Sequence, residues 1–152
     1  MKKNASKIPA VNNYYYLVVG ILSILFSFTH AQNGKANVLP VIDKSNIDLS
    51  TKTTVYYVWH VVTVENFIIG VSFLVMAFYR DLSKVKSTAW LIVFIMIARW
   101  GVIFRSTLLK NTNGLKSTVS DLVAILVYAG LIILGIKKKE NQKIADKLFR
   151  DK

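Results

Sequence analysis

The sequence predicts an all-α membrane protein: a polytopic bundle of four transmembrane helices with both termini in the cytoplasm. Three observations carry that expectation. Apolar residues make up 53% of the chain and come in four long blocks, not in the one-sided stripe of a soluble helix or the alternation of a strand. Each block approaches the roughly 20 residues that a bilayer crossing requires. Lysine and arginine are distributed unevenly between the segments that join the blocks.

With 152 residues and a mean hydropathy of +0.43, four spans leave little chain over, so 1–152 reads as a single membrane domain. The chain holds no cysteine, which removes disulfides, thiolate catalysis and Cys-ligated metals together. The net charge of +12 would suit nucleic acid in a soluble protein. In a membrane protein, basic flanks set orientation and meet anionic headgroups, so the expected partners are the bilayer and anionic lipid at the cytoplasmic face, with no nucleic acid.

Residues 1–13 are polar and basic (Lys2, Lys3, Lys7) and lead into the first span, about 14–31. Tyr14, Tyr15 and Tyr16 have the composition of an interfacial aromatic belt. Gly20, Ser23, Ser27 and His30 share one helix face, small and polar like the helix–helix seams of membranes. A rival reading takes this segment as a signal peptide, with Thr29-His30-Ala31 before Gln32 as the cleavage site. Residues 32–54 read as a long polar outer loop with one apolar knot, Val38–Ile42, of the kind that serves as a lid or binding loop.

The second span, about 55–79, is the most informative, because Trp59, His60, Thr63, Glu65 and Asn66 interrupt its first half. A short charged turn follows, and the third span, about 88–109, carries Arg99-Trp100 at its middle and Arg105 further on. Asn111–Gly114 is a turn signal. In the fourth span, about 118–136, Thr118 and Asp121 have capping-box spacing, which makes Asp121 a candidate cap. Ser117, Asp121, Ala124, Tyr128 and Gly135 share a face. The basic tail, 137–152, has Ile144, Leu148 and Phe149 at helical spacing and suits an interfacial helix or a solvated tail.

Orientation follows from the positive-inside rule. Lys2, Lys3, Lys7, Arg80, Lys84, Lys86 and the seven basic residues after Ile136 fall on one side of the four-span scheme. Only Lys35, Lys44, Lys52, Lys110 and Lys116 fall on the other. Both termini are therefore expected in the cytoplasm, in a multi-pass protein of a cell membrane, with a bacterial cytoplasmic membrane the expected setting.

At about 1.5 Å of rise per residue, Glu65 and Arg99 come to lie near the midplane, with Tyr128 at similar depth. His30, His60, Arg105 and Asp121 form a second layer roughly 10 Å toward the outside. Intramembrane charges mark ligand or ion pathways by default. The expected function is non-enzymatic: binding or transport of a small polar or anionic ligand by His30, Trp59, His60, Thr63, Glu65, Arg99, Arg105, Asp121 and Tyr128, in an interior opening outward. Each residue also has a plainer role. Glu65 and Arg99 suit a structural ion pair, His60 a carbonyl partner, and Arg105 a reach to the headgroups.

Two alternatives come from other classes. In one, His30 and His60 ligate a haem or metal or bond a quinone. In the other, the chain is an accessory subunit that packs against a partner membrane protein, or it forms a homo-oligomer. Catalysis has little support, since H-E-x-x-H, G-x-S-x-G and phosphate-loop patterns are all missing.

Overall fold

The computed structural model describes residues 11–150, with side chains through Lys137. The described residues are helical throughout their regular structure, and four helices are long and apolar enough to span a membrane. In order they are α1 (Tyr14–Asn33), a π-helical turn (Gly34–Val38), α2 (Leu39–Lys44), α3 (Leu49–Phe78), α4 (Lys86–Lys110) and α5 (Leu115–Arg150), with short 3₁₀ turns at Leu82–Val85 and Thr112–Gly114. The packing falls into two compact units, Val18–Val75 and the pair of segments Met1–Leu17 with Met76–Lys152.

In the first unit, α1 and α3 run antiparallel. Contacts step down α3 from Leu74 to Trp59 as they climb α1 from Gly20 to Gly34. Small residues set the separation. A Cβ on Gly20 would sit 2.9 Å from the Leu74 backbone nitrogen, and one on Gly70 would sit 3.0 Å from the Gly20 carbonyl oxygen. Membrane helices associate through such close approaches because lipid offers no hydrophobic drive between them. Ser23 and Ser27 are buried beside these glycines, as the face read from the sequence requires.

The expected loop at 32–54 is instead mostly helical, and this is a correction. Alpha-1 continues through the π turn into α2, and α3 begins at Leu49, so only Ser45–Asp48 joins the two helices. The apolar knot is α2 itself, with Leu39 buried. Polar composition suggested a loop, but Lys35, Ala36, Leu39 and Ile42 are compatible with a helix once one face has a neighbour to bury against. Pro40 explains the π turn. In an uninterrupted α-helix its ring would meet the carbonyl of Ala36, and a wider turn just before it removes that conflict. Asp48 then starts α3, its carboxylate accepting from the Thr51 amide at 2.9 Å and the Thr51 hydroxyl at 2.6 Å.

In the second unit, α4 and α5 form an antiparallel hairpin around the Asn111–Gly114 turn that the sequence signalled. Ala89, Ile92 and Val93 of α4 and Ala129, Ile132 and Ile136 of α5 are buried. Thr118 is a second correction. Alpha-5 begins three residues before it, so Thr118 lies inside the helix, buried, with its hydroxyl donating to the Gly114 carbonyl at 3.2 Å. The Thr118–Asp121 spacing therefore caps nothing.

The same unit holds a clamp built by two asparagines. The Asn13 side-chain oxygen accepts from the amides of Tyr15 and Tyr16, capping α1, while its amide nitrogen donates to the Gly135 carbonyl at 2.9 Å. The backbone N–H groups of Asn12 and Asn13 both donate to the Ala77 carbonyl, and the Asn12 side chain donates to that of Phe78. Orphan groups at the start of α1 and the end of α3 are thus answered together. Tyr16 departs from the aromatic-belt expectation, since it is 1% exposed and lies against Gly135, where a Cβ would come within 2.5 Å of the ring. Tyr14 and Tyr15 are exposed as a belt demands.

Ile144, Leu148 and Phe149 lie outside the described side chains, and Lys2, Lys3 and Lys7 outside the described residues.

Candidate functional site

The residues named from the sequence divide between the two units. His30, Trp59, His60, Thr63 and Glu65 fall in Val18–Val75, and Arg99, Arg105, Asp121 and Tyr128 in the other.

Three of the first group meet along the α1–α3 seam. The rings of His30 and Trp59 stack in parallel, centroids 4.3 Å apart and planes 5° from coincident. The Trp59 indole N–H donates to the His30 carbonyl at 3.2 Å. One α-helical turn along, Thr63 donates to the Trp59 carbonyl at 3.1 Å, and its own carbonyl accepts from the Ser27 hydroxyl at 2.8 Å. These bonds answer buried polar groups without charge, and each carbonyl involved is already part of a helix ladder, so the contacts add to the helices without breaking them.

Gly34 completes the cluster. A Cβ there would overlap the Trp59 indole nitrogen, so glycine lets the π turn close on the ring face. Sequence reasoning missed it because Gly34 lay in a presumed loop.

His60 stands elsewhere on α3. It is exposed, and its ring neighbour is Tyr56 at 6.5 Å. Adjacent residues on a helix point about 100° apart, so Trp59, not His60, faces His30. That geometry gives no support to His30 and His60 as paired axial ligands. No group of three or more His, Asp or Glu side chains suited to a metal occurs among the described residues. Beyond His60, the Tyr56 hydroxyl donates to the Asp43 carboxylate at 2.6 Å and the Lys52 ammonium to the Asp43 carbonyl at 2.8 Å, tying α2 to the first turns of α3. Neither Asp43 nor Tyr56 stood out in the sequence, because no motif links them. Hydrogen bonds from the Thr51 hydroxyl and amide hold the Asp48 carboxyl below its ordinary range.

Glu65 is half-buried on α3 beside the buried Asn66, one residue from the stripe that faces α1. In the other unit, Arg99 and Tyr128 are half-buried, while Arg105 and Asp121 are exposed. Trp100 donates to the Thr118 carbonyl at 3.2 Å and stacks on Phe104 at 5.0 Å. The α5 face read as small and polar is therefore packed toward its far end, with Tyr128 half-buried and Gly135 buried, while Ser117, Asp121 and Ala124 are open.

Helix number, length and apolar character are those of a multi-pass membrane protein. Within that class the chain matches no protein-family model, no curated protein and no solved structure.

Proposed function

We propose that this multi-pass membrane protein, with both termini in the cytoplasm, binds a small polar or anionic ligand at the His30–Trp59–His60 end of the α1–α3 pair, as a carrier or a receptor rather than an enzyme. One observation carries the reading. Two histidines, an indole, a threonine and the Tyr56–Asp43–Lys52 network gather within a few turns of one end of two predominantly apolar helices. Titratable side chains at such depth are costly to insert, and function is the usual reason they are kept. A π turn at the same place adds weight, because π turns recur at functional sites. The half-buried Lys52 supplies positive charge that favours an anion, and exposed His60 adds a hydrogen-bonding ring. The uneven distribution of lysine and arginine supports the orientation, which puts this end on the outer side.

The test is a thermal-shift screen of the purified protein against small carboxylates, phosphates and neutral polar solutes. A binder of the native state raises the melting temperature by mass action. At least one solute should raise it by a few degrees, and His30→Ala and His60→Ala should each remove that rise. A screen with no shift, or a shift that survives both substitutions, ends the proposal. Orientation has its own test, made clean by the absence of native cysteine. Single cysteines at Asn46 and Asn113 should react with an impermeant thiol reagent on intact cells, and one at Ser83 should not.

A further inference from the structure

Arg105 and Asp121 are the charges that this fold leaves unexplained. Each is exposed, on a helix long and apolar enough to cross a membrane. The neighbours one turn away are open too: Val102 and Leu109 on the Arg105 face, Ser117 and Ala124 on the Asp121 face. Among the described residues, neither side chain takes part in a hydrogen bond or ion pair.

Their levels match. Arg105 lies five residues before the end of α4 and Asp121 six after the start of α5, on either side of one short turn, so both sit about 8–9 Å into their helices. Their directions differ. Thr107 faces Thr118 across the hairpin at 3.2 Å. At about 100° per residue, Arg105 points nearly away from α5, whereas Asp121 lies about 60° from Thr118. A bond within the hairpin is disfavoured by that geometry. A second chain in the same membrane orientation keeps every residue at its own depth, so it presents Asp121 at the level of Arg105.

We infer that α4 and α5 form a self-association surface, in which Arg105 of one copy pairs with Asp121 of a second copy of this chain. The inference rests on reading α4 and α5 as membrane spans. Charge complementarity between two residues of one unit selects the occupant, because a second copy brings both partners at the correct depth. Helix approach is also unobstructed along this face of α4: nothing lies within 4 Å of where a Gly101 Cβ would be, one turn before Arg105, and Ala98, two turns before it, is exposed. Small residues permit close contact between membrane helices, and a polar pair there gives it a register.

The test uses full-length chains carrying two different affinity tags, co-expressed and purified from carbonate-washed membranes. Wild-type chains should co-purify. R105D with R105D, and D121R with D121R, should co-purify at least tenfold less. R105D co-expressed with D121R should regain the wild-type level, since every contact between unlike chains is then complementary. That mixed pairing also controls for folding, because a misfolded variant would not be rescued by another chain. Wild-type chains that fail to co-purify, or single reversals without effect, would overturn the inference and point to headgroup contact by each charge alone. Recovery only when both reversals sit in one chain would overturn it in favour of an intrachain pair. Release of the protein by the carbonate wash would remove the span reading, and this inference with it.

Discussion

Alpha-1 is fastened differently at its two ends. At Asn13 a fully buried amide bonds to main-chain groups 2, 3 and 122 residues away, all of them short polar contacts. Near the other end, half-buried His30 and Trp59 meet through stacked rings, and the contact spans 29 residues. The first arrangement spends every polar group on main chain and leaves nothing for a ligand. The second holds two helices together by ring stacking and an uncharged hydrogen bond, with His60 exposed one residue from Trp59. Stability is unevenly distributed in proteins, and binding regions come from the less committed parts. The asparagines anchor α1, and the ring end is the one to which the proposed function gives recognition.

Removing the clamp should have the largest effect. Asn13→Ala deletes a helix cap and leaves the Gly135 carbonyl without its donor, for a combined loss of about 3 kcal/mol. A detergent melting curve measures it. A loss no larger than that of Ser27→Ala would break the distinction between the two ends.

Gly34→Ala should come next, at about 2 kcal/mol, because a methyl group there forces the indole or the π turn to move. Intrinsic fluorescence separates the two responses: displacement of Trp59 changes its emission, and displacement of the turn alone does not. The double variant Gly34→Ala, Trp59→Leu should recover most of the loss, as expected of residues in direct contact.

Ser27→Ala removes one interhelical hydrogen bond. Such bonds between membrane helices average about 0.6 kcal/mol, so the shift should be small but resolvable. A loss above that of Gly34→Ala would mean that the polar seam, not the ring contact, holds this end.

The smallest effect concerns Asp48. Its folded carboxyl has a lowered pKa, so the stabilising Thr51 bonds are fully present above the unfolded carboxylate value and are lost as pH falls through the lower folded value. Exchange protection of the Thr51 amide should fall over that acid window, while the amides of Ser27 and Thr63 stay protected. Equal loss at all three would show that α3 does not fray independently at its start.

The four long apolar helices were legible because a bilayer crossing demands apolar length, and length is written directly in the sequence. So was the Gly20–Ser23–Ser27 face, since small residues at helical spacing have few other uses in a membrane helix. The helical character of 32–44 was not, because polar composition is shared by loops and by exposed helix faces. Asn13 could not be recognised either: its partners are the carbonyls of Ala77 and Gly135 and the amides of Tyr15 and Tyr16, and main-chain groups leave no trace in residue identity. His30 and Trp59 were both singled out, yet His30 was paired with His60. One residue on a helix is a rotation of about 100°, finer than depth alone resolves.

The π turn at Gly34–Val38 has a consequence for how this helix tolerates length changes. Gly34 and Leu39 are both buried although five residues separate them, and an α-helix keeps residues three or four apart on one face. The chain therefore carries one residue more than an unbroken α-helix between the same two contacts would need. A deletion elsewhere in α1 rotates everything beyond it by about 100° and exposes its buried stripe. Deleting Ala36 together with Pro40→Ala should instead be absorbed: the i→i+5 turn closes to i→i+4, and Gly34 and Leu39 keep their neighbours. In a family of such chains, this is the position at which lineages differing by a single codon could share one helix packing.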